Sequence, residues 1–269
     1  MERNVFDDAY LGDLSSISPD KVIENISDFG IVTFSVDSGN ARHALVGLAQ
    51  ALGEIRSHPH SDRDGATSIA PRRDNDLHPG RMGFTQERLL PHTDASSMAS
   101  PPDLLLNVCA TRAEHGGETL LVDMRSVLTQ ALKTNPVALE RLSAPGTVIF
   151  GTGGFSRASS VFAVRNGRIH VRFRQDEGVF FGAPVLKEAL ELIGLVDAMT
   201  VRMSLEEGQG YIVDNHWWLH GRASFAGPRE IIRILADVRA DRSGGVGETG
   251  FPWHVSSTAQ EKIRVGTVG

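Results

Sequence analysis

Apolar and polar positions follow two periods along this chain, and the changes of period mark its elements. Residues from Ser18-Pro19-Asp20 to Phe29 carry apolar groups at helical spacing. Ser18 suits the N-cap, Pro19 the first helical position and Gly30 the end. Ile31–Val36 then reads as a strand. From Asn40 to Leu52, the positions of Leu45, Leu48, Ala49 and Leu52 predict a second helix. Leu104-Leu105-Leu106-Asn107-Val108-Cys109-Ala110 reads as a buried strand, and Gly116–Asp123 as a turn feeding another. Helical patterns follow at Met124–Lys133 and Pro136–Leu142. Val161–Arg165 and Arg168–Phe173 flank Asn166-Gly167, which suits a type I′ turn and predicts a hairpin. Pro184–Thr200 is a predicted helix. Strands return at Val201–Leu205, Gly210–Asn215, Trp218–Arg222 and Ile231–Val238.

Two stretches lose the periodicity. Ile55–Gly83 holds Pro59, Gly65, Pro71, Pro79 and Gly80 among charged residues and is too long for an ordinary connector. A loop of that length suits an active-site cover. Its arginines (Arg56, Arg63, Arg72, Arg73, Arg81) and acids (Asp62, Asp64, Asp74, Asp76) would suit a zwitterion, or else simply solvate a loop. The tail from 240 to 269 has no assigned element. With helices at the start and inserted between 124 and 200, the strands fit an antiparallel barrel or sandwich with flanking helices better than βαβ units. Residues 1–269 are expected to form a single domain.

Composition removes several function classes. A net charge of −6 argues against a general polyanion binder, so no nucleic-acid partner is expected. No run approaches about 18 apolar residues, so no membrane span is expected. The N-terminus has no basic region followed by an apolar run, and a cytoplasmic location is expected. The single cysteine, Cys109, reads as a small buried residue and not as a catalytic thiol.

The candidate chemistry gathers at Pro91-His92-Thr93-Asp94. In extended backbone, side chains alternate, so His92 and Asp94 would point the same way from Cα atoms about 6–7 Å apart. Both could then reach one metal ion about 2.1 Å from each ligand atom. A third ligand must come from elsewhere among ten histidines. His58, His60, His78 and His115 read as solvated loop or turn residues, and His170 sits on the predicted hairpin. His216 and His220 resemble a helical metal pair, but Trp217 stands where a zinc peptidase carries its glutamate, and the context is a strand. In a strand the two are about 13 Å apart and cannot share an ion. His220 precedes Gly221-Arg222 and is soon followed by Arg229 and Arg233. Two histidines and a carboxylate leave open positions on iron, as in non-haem Fe(II) oxygenases. Arginine is well suited to hold the distal carboxylate of a dicarboxylic 2-oxoacid, and Thr119 could add a hydroxyl.

His92-Thr93-Asp94, Gly116-Gly117-Glu118-Thr119-Leu120 and Asp214–Arg222 followed by Arg229 and Arg233 together resemble the TauD/TfdA (taurine dioxygenase-like) family. The resemblance runs from about Ile31 to Arg239, with the motifs in the family's order. It implies a mainly β fold with flanking helices around a double-stranded β-helix of the jelly-roll or cupin kind. It also implies an Fe(II)- and 2-oxoglutarate-dependent dioxygenase that consumes O2. On that resemblance His92, Asp94 and His220 match the iron ligands, and Thr119 matches a threonine that contacts 2-oxoglutarate. Arg229 and Arg233 match the family's two strand arginines. Four apart on a strand, both are expected to face the barrel interior. The interval from His220 to Arg229 is shorter than the family's usual spacing, which leaves open which arginine holds the cosubstrate. The presence of Asp94 argues against halogenation, since halogenating members replace this carboxylate. Hydroxylation of a small carboxylate- or amino-acid-like substrate is the default expectation; desaturation, cyclisation or epimerisation would use the same residues. A zinc hydrolase would leave Thr119 and the arginines without a purpose, and a non-catalytic metal-binding barrel is the reading from a different class.

Overall fold

The structure, a computed structural model, describes residues 4–57, 59–72, 82–239 and 248–253. Part of the expected cover, 73–81 with Arg73, Asp74, Asp76, His78 and Arg81, lies outside the described residues. So do His58 and, from the tail, residues 240–247 and 254–269.

Two β-sheets organise the chain. The larger runs Tyr10–Asp13, Ile31–Ser35, Gln209–Asp214, Leu104–Thr111, Glu230–Val238 and Gly53–Ile55 in spatial order, with Thr67–Ile69 also paired to Glu230–Val238. The smaller runs Val201–Met203, Thr119–Asp123, Trp218–Arg222 and Leu89–His92. Non-consecutive strands pair antiparallel in both, the mark of a double-stranded β-helix.

The apolar runs are continuous because the larger sheet is buried on both faces. Leu104, Leu106, Val108, Ile212, Ile232 and Ile234 point outward and pack under Pro19–Phe29 and Ala41–Leu52. Leu105, Cys109, Tyr211, Val213, Ile231 and Leu235 alternate with them and join the other cluster, shared with the smaller sheet. Ser18 caps the first of these helices by accepting from the Lys21 N–H, and Gly30 ends it in the left-handed conformation. That glycine is required, since a Cβ there would lie 2.6 Å from the Trp217 ring.

Between the sheets' strands, residues 124–200 carry the helices Met124–Thr134, Ala138–Leu142 and Leu186–Ala198. Two small sheets accompany them, one of which is the expected hairpin, with Asn166 and Gly167 at φ 49° and 76°. The helix read from Pro184 begins at Leu186, after a 3₁₀ turn over Ala183–Val185. The aperiodic stretch holds more structure than expected: Gly53–Ile55 and Thr67–Ile69 both extend the larger sheet against Glu230–Val238. Their sequences are too short and mixed to show alternation. Among the described residues no helix is long and apolar enough to cross a membrane.

Candidate metal centre and active site

The smaller sheet places the two histidines. His92 ends the strand Leu89–His92 and is the register partner of His220 on Trp218–Arg222. Their rings lie 4.6 Å apart. Gly221 lets these strands approach, because a Cβ there would lie 2.5 Å from the Leu89 carbonyl oxygen.

Asp94 reaches the same point by a different route from the one expected. The strand stops at His92, and the chain turns through Thr93 and Asp94 to Ala95 at φ 54°. The carboxylate is thus aimed by a turn and not by strand alternation. Three residues, Asn215, Phe173 and Arg172, fix that turn. The Asp94 N–H donates to Asn215 Oδ1 at 2.7 Å, and Asn215 Nδ2 donates back to the Asp94 carbonyl at 3.1 Å. The Phe173 N–H donates to Thr93 Oγ1 at 3.1 Å. Arg172 donates to the carbonyls of Ser96 and Met98, both at 2.7 Å, just beyond the turn.

One ligand atom from each of His92, Asp94 and His220 lies within 4.8 Å of the others. Asp94 Oδ1 is 3.6 Å from His92 Nε2, and Oδ2 is 3.9 Å from His220 Nε2. His92 gives its Nδ1–H to the Leu90 carbonyl at 2.9 Å, which leaves the Nε2 lone pair for a metal. Burial, reinforced by His92, pushes the pKa of His220 down to about 3, so its ring is the neutral form that ligates. Burial alone would raise the Asp94 carboxyl, but Arg233 and the two histidines outweigh it and hold the group well below the usual carboxylate range. Among the described residues, His220 Nδ1 is buried without a partner. Two imidazoles and one carboxylate are a donor set that fits a ferrous ion.

His216, the competing candidate, is elsewhere. It contacts Asp103 Oδ1 at 3.2 Å through Nε2, and its ring lies 4.7 Å from that of His170. Trp217 and Trp218 pack and spend their indole N–H groups on Asp123 and the Phe29 carbonyl. Arg222 is buried, donates to the carbonyls of Gly83 and Glu87, and so ties the segment before His92 to the histidine strand.

The two arginines line different cavities. Arg233 faces a cavity of about 450 Å³ together with His92 and Asp94, and its Nη1 lies 3.0 Å from Asp94 Oδ2. Arg229 precedes the strand Glu230–Val238, whose register against Leu104–Thr111 slips between Glu230 and Ile231. It lines a second cavity of about 80 Å³ with Thr119. Its Nε lies only 3.1 Å from where a Cβ of Gly117 would sit, so the glycine of the turn makes room for the guanidinium. Among the described residues no carboxylate pairs with Arg229, although it is 8% exposed.

Several charges of the expected cover pair with the scaffold where they are described. Arg56 pairs with Asp237, and Asp62 and Asp64 with Arg42, so these groups serve the scaffold. Arg172 and Asn215 were missed as positioning residues. Their signal would have been a buried polar group beside the His-x-Asp turn, which no single sequence shows.

The Taurine catabolism dioxygenase TauD, TfdA family matches residues 2–235. Among solved structures, the chain is similar to an asparagine oxygenase in complex with Fe(II), 2S,3S-3-hydroxyasparagine and succinate. The two are 16% identical with a TM-score of 0.66, over 90% of this chain and 82% of that one. It is also similar to the non-heme iron oxygenase OrfP in complex with Fe and alpha-ketoglutaric acid. Here the identity is 16% and the TM-score 0.65, over 86% of this chain and 83% of that one. OrfP in complex with Fe, succinate and (3S)-hydroxy-L-Arg gives 14% identity and a TM-score of 0.65, over 86% and 84%. No curated protein matches. With a family match over most of its length and a His-Asp-His centre that fits iron, the chain belongs to the TauD/TfdA family and is an Fe(II)- and 2-oxoglutarate-dependent dioxygenase.

Proposed function

We propose that this enzyme hydroxylates an unactivated C–H bond of a free amino acid or a closely related small carboxylate. The observation that carries this is the charge pattern of the 450 Å³ cavity beside His92 and Asp94. Its wall bears Arg233 on one side, and Arg174 paired in bidentate fashion with Asp176, at 2.6 Å for both bonds, on the other. A zwitterion can place its carboxylate against a guanidinium and its ammonium against Asp176, charge-assisted contacts that a purely apolar substrate cannot make. The solved structures similar in fold hold hydroxyasparagine and hydroxyarginine, which supports the same substrate class.

His92, Asp94 and His220 would hold the iron. When bound, that iron activates O2 with oxidation of 2-oxoglutarate to succinate and CO2. Arg229 and Thr119, which share the smaller cavity, would hold the distal carboxylate of 2-oxoglutarate, because Arg229 is a buried cation without an anionic partner among the described residues. Arg233 would fix Asp94 and meet the substrate's carboxylate from the same cavity. Within the expected cover, the described residues Pro59, Ile69, Met82 and Gly83 line the cavity and would shield the substrate there.

The test is a mass-spectrometric screen of amino acids and small carboxylates, with Fe(II), 2-oxoglutarate and O2, for a product gaining one oxygen atom. A hydroxylated amino acid formed with equal succinate supports the proposal. Turnover confined to substrates without a carboxylate group would reject it.

A further inference from the structure

A row of polar side chains crosses the inner face of the larger sheet, where apolar residues would be expected. Arg233, Asn107 and Tyr211 are register partners on three adjacent strands. Asn107 and Tyr211 are each 4% exposed, and Asn107 Nδ2 donates to the Tyr211 hydroxyl at 2.6 Å. Among the described residues, Asn107 Oδ1 and Arg233 Nε are buried without partners. Turning the amide over would strand its NH2 there instead, and orphaned donors are rarer than orphaned acceptors. An apolar pair would fill this position at no such cost, so the row is built for something polar.

The geometry of that hydroxyl narrows what it meets. With one lone pair taken by Asn107, its hydrogen points away from the amide. On its other side the phenol is in side-chain hydrogen-bonding reach of Thr119, in the smaller cavity, and it feels the charges of Arg229 there and of Asp94 in the larger. Burial pushes its pKa up to about 12, so it keeps its proton and remains a donor.

We propose that the Tyr211 hydroxyl, oriented by Asn107, is a third donor to the distal carboxylate of 2-oxoglutarate beside Thr119 and Arg229. This rests on the placement of that carboxylate proposed above. Tyr211 binds the cosubstrate directly, and Asn107 is a positioning residue that acts through it. Recognition of the cosubstrate thereby draws on both sheets, Thr119 from the smaller and Tyr211 from the larger.

The test is calorimetric titration of the Fe(II)-loaded protein under anaerobic conditions with 2-oxoglutarate and with 2-oxobutyrate, which has the same 2-oxoacid head but no distal carboxylate. Tyr211→Phe should weaken 2-oxoglutarate about tenfold, the worth of a hydrogen bond to a charged group, and leave 2-oxobutyrate unchanged. Asn107→Leu, which keeps the hydroxyl but frees its orientation, should give a smaller loss of about threefold, again only for 2-oxoglutarate. This second variant decides the matter if Tyr211→Phe does not fold. Unchanged 2-oxoglutarate affinity in Tyr211→Phe, with a loss in Arg229→Gln, would overturn the role of Tyr211 and leave the carboxylate placement standing. Unchanged affinity in both would overturn the placement itself. Equal losses for the two acids would mean general damage to the site and would also overturn the proposal.

Discussion

Asn215 and Asp94 hold each other by a reciprocal pair of hydrogen bonds, 2.7 Å into the carboxamide oxygen and 3.1 Å back from its nitrogen. Asn215 also donates to the Pro102 carbonyl at 2.9 Å, so one buried amide joins the turn after His92 to the entry of the strand Leu104–Thr111. The Asp94 carboxylate is thus aimed through hydrogen bonds to its own backbone. Asn215→Ala should lower Fe(II) affinity by roughly 10–100-fold, the usual cost of losing an outer partner of a metal ligand. Anaerobic Fe(II) titration checks this, and wild-type affinity would remove Asn215 from the centre's support.

Gly117 and Arg229 make a second close fit. Gly117 sits at φ 78°, and an added Cβ would come within 3.1 Å of the Arg229 Nε. Gly117→Ala should therefore cost about 1–3 kcal/mol of stability through backbone strain and also displace the guanidinium. The separating measurement is the ratio of affinities. 2-Oxoglutarate binding should weaken several-fold while Fe(II) binding stays near wild type. A loss confined to melting temperature would mean that Arg229 does not serve the cosubstrate.

His170 gives the fold an acid-side weakness. Burial, with help from His216, Arg165 and Arg168 and against Asp103, pushes its pKa from 6.5 down to about 3. The unfolded chain takes up the proton first, so this contribution to stability is present above about pH 6.5 and is lost as pH falls toward 3. His170→Gln should lose less melting temperature between pH 7 and pH 5 than the wild type. Parallel curves for the two proteins would contradict the buried neutral imidazole.

Local elements were legible because their signals are local. Ser18, Pro19 and Gly30 bracket a helix by capping chemistry, and Asn166-Gly167 defines a hairpin by its positive φ angles. The pairing of His92 with His220 was reached through motif order and spacing, which survive in sequence. What depends on tertiary register was not legible. The register slip beside Glu230, and the start of the strand only after Arg229, could not be read from the spacing of the two arginines. The short strand Thr67–Ile69 exists only because Glu230–Val238 offers it an edge. Asn107 lay in plain view within an apolar run, but its meaning required knowing that Tyr211 and Arg233 stand on either side.

The most direct measurement is the visible spectrum of the protein mixed anaerobically with Fe(II) and 2-oxoglutarate. The expected result is a weak charge-transfer band that needs both additions and disappears in His220→Ala. Correctly folded wild-type protein that gives no band, or a band undiminished in His220→Ala, would contradict an iron centre built from His92, Asp94 and His220.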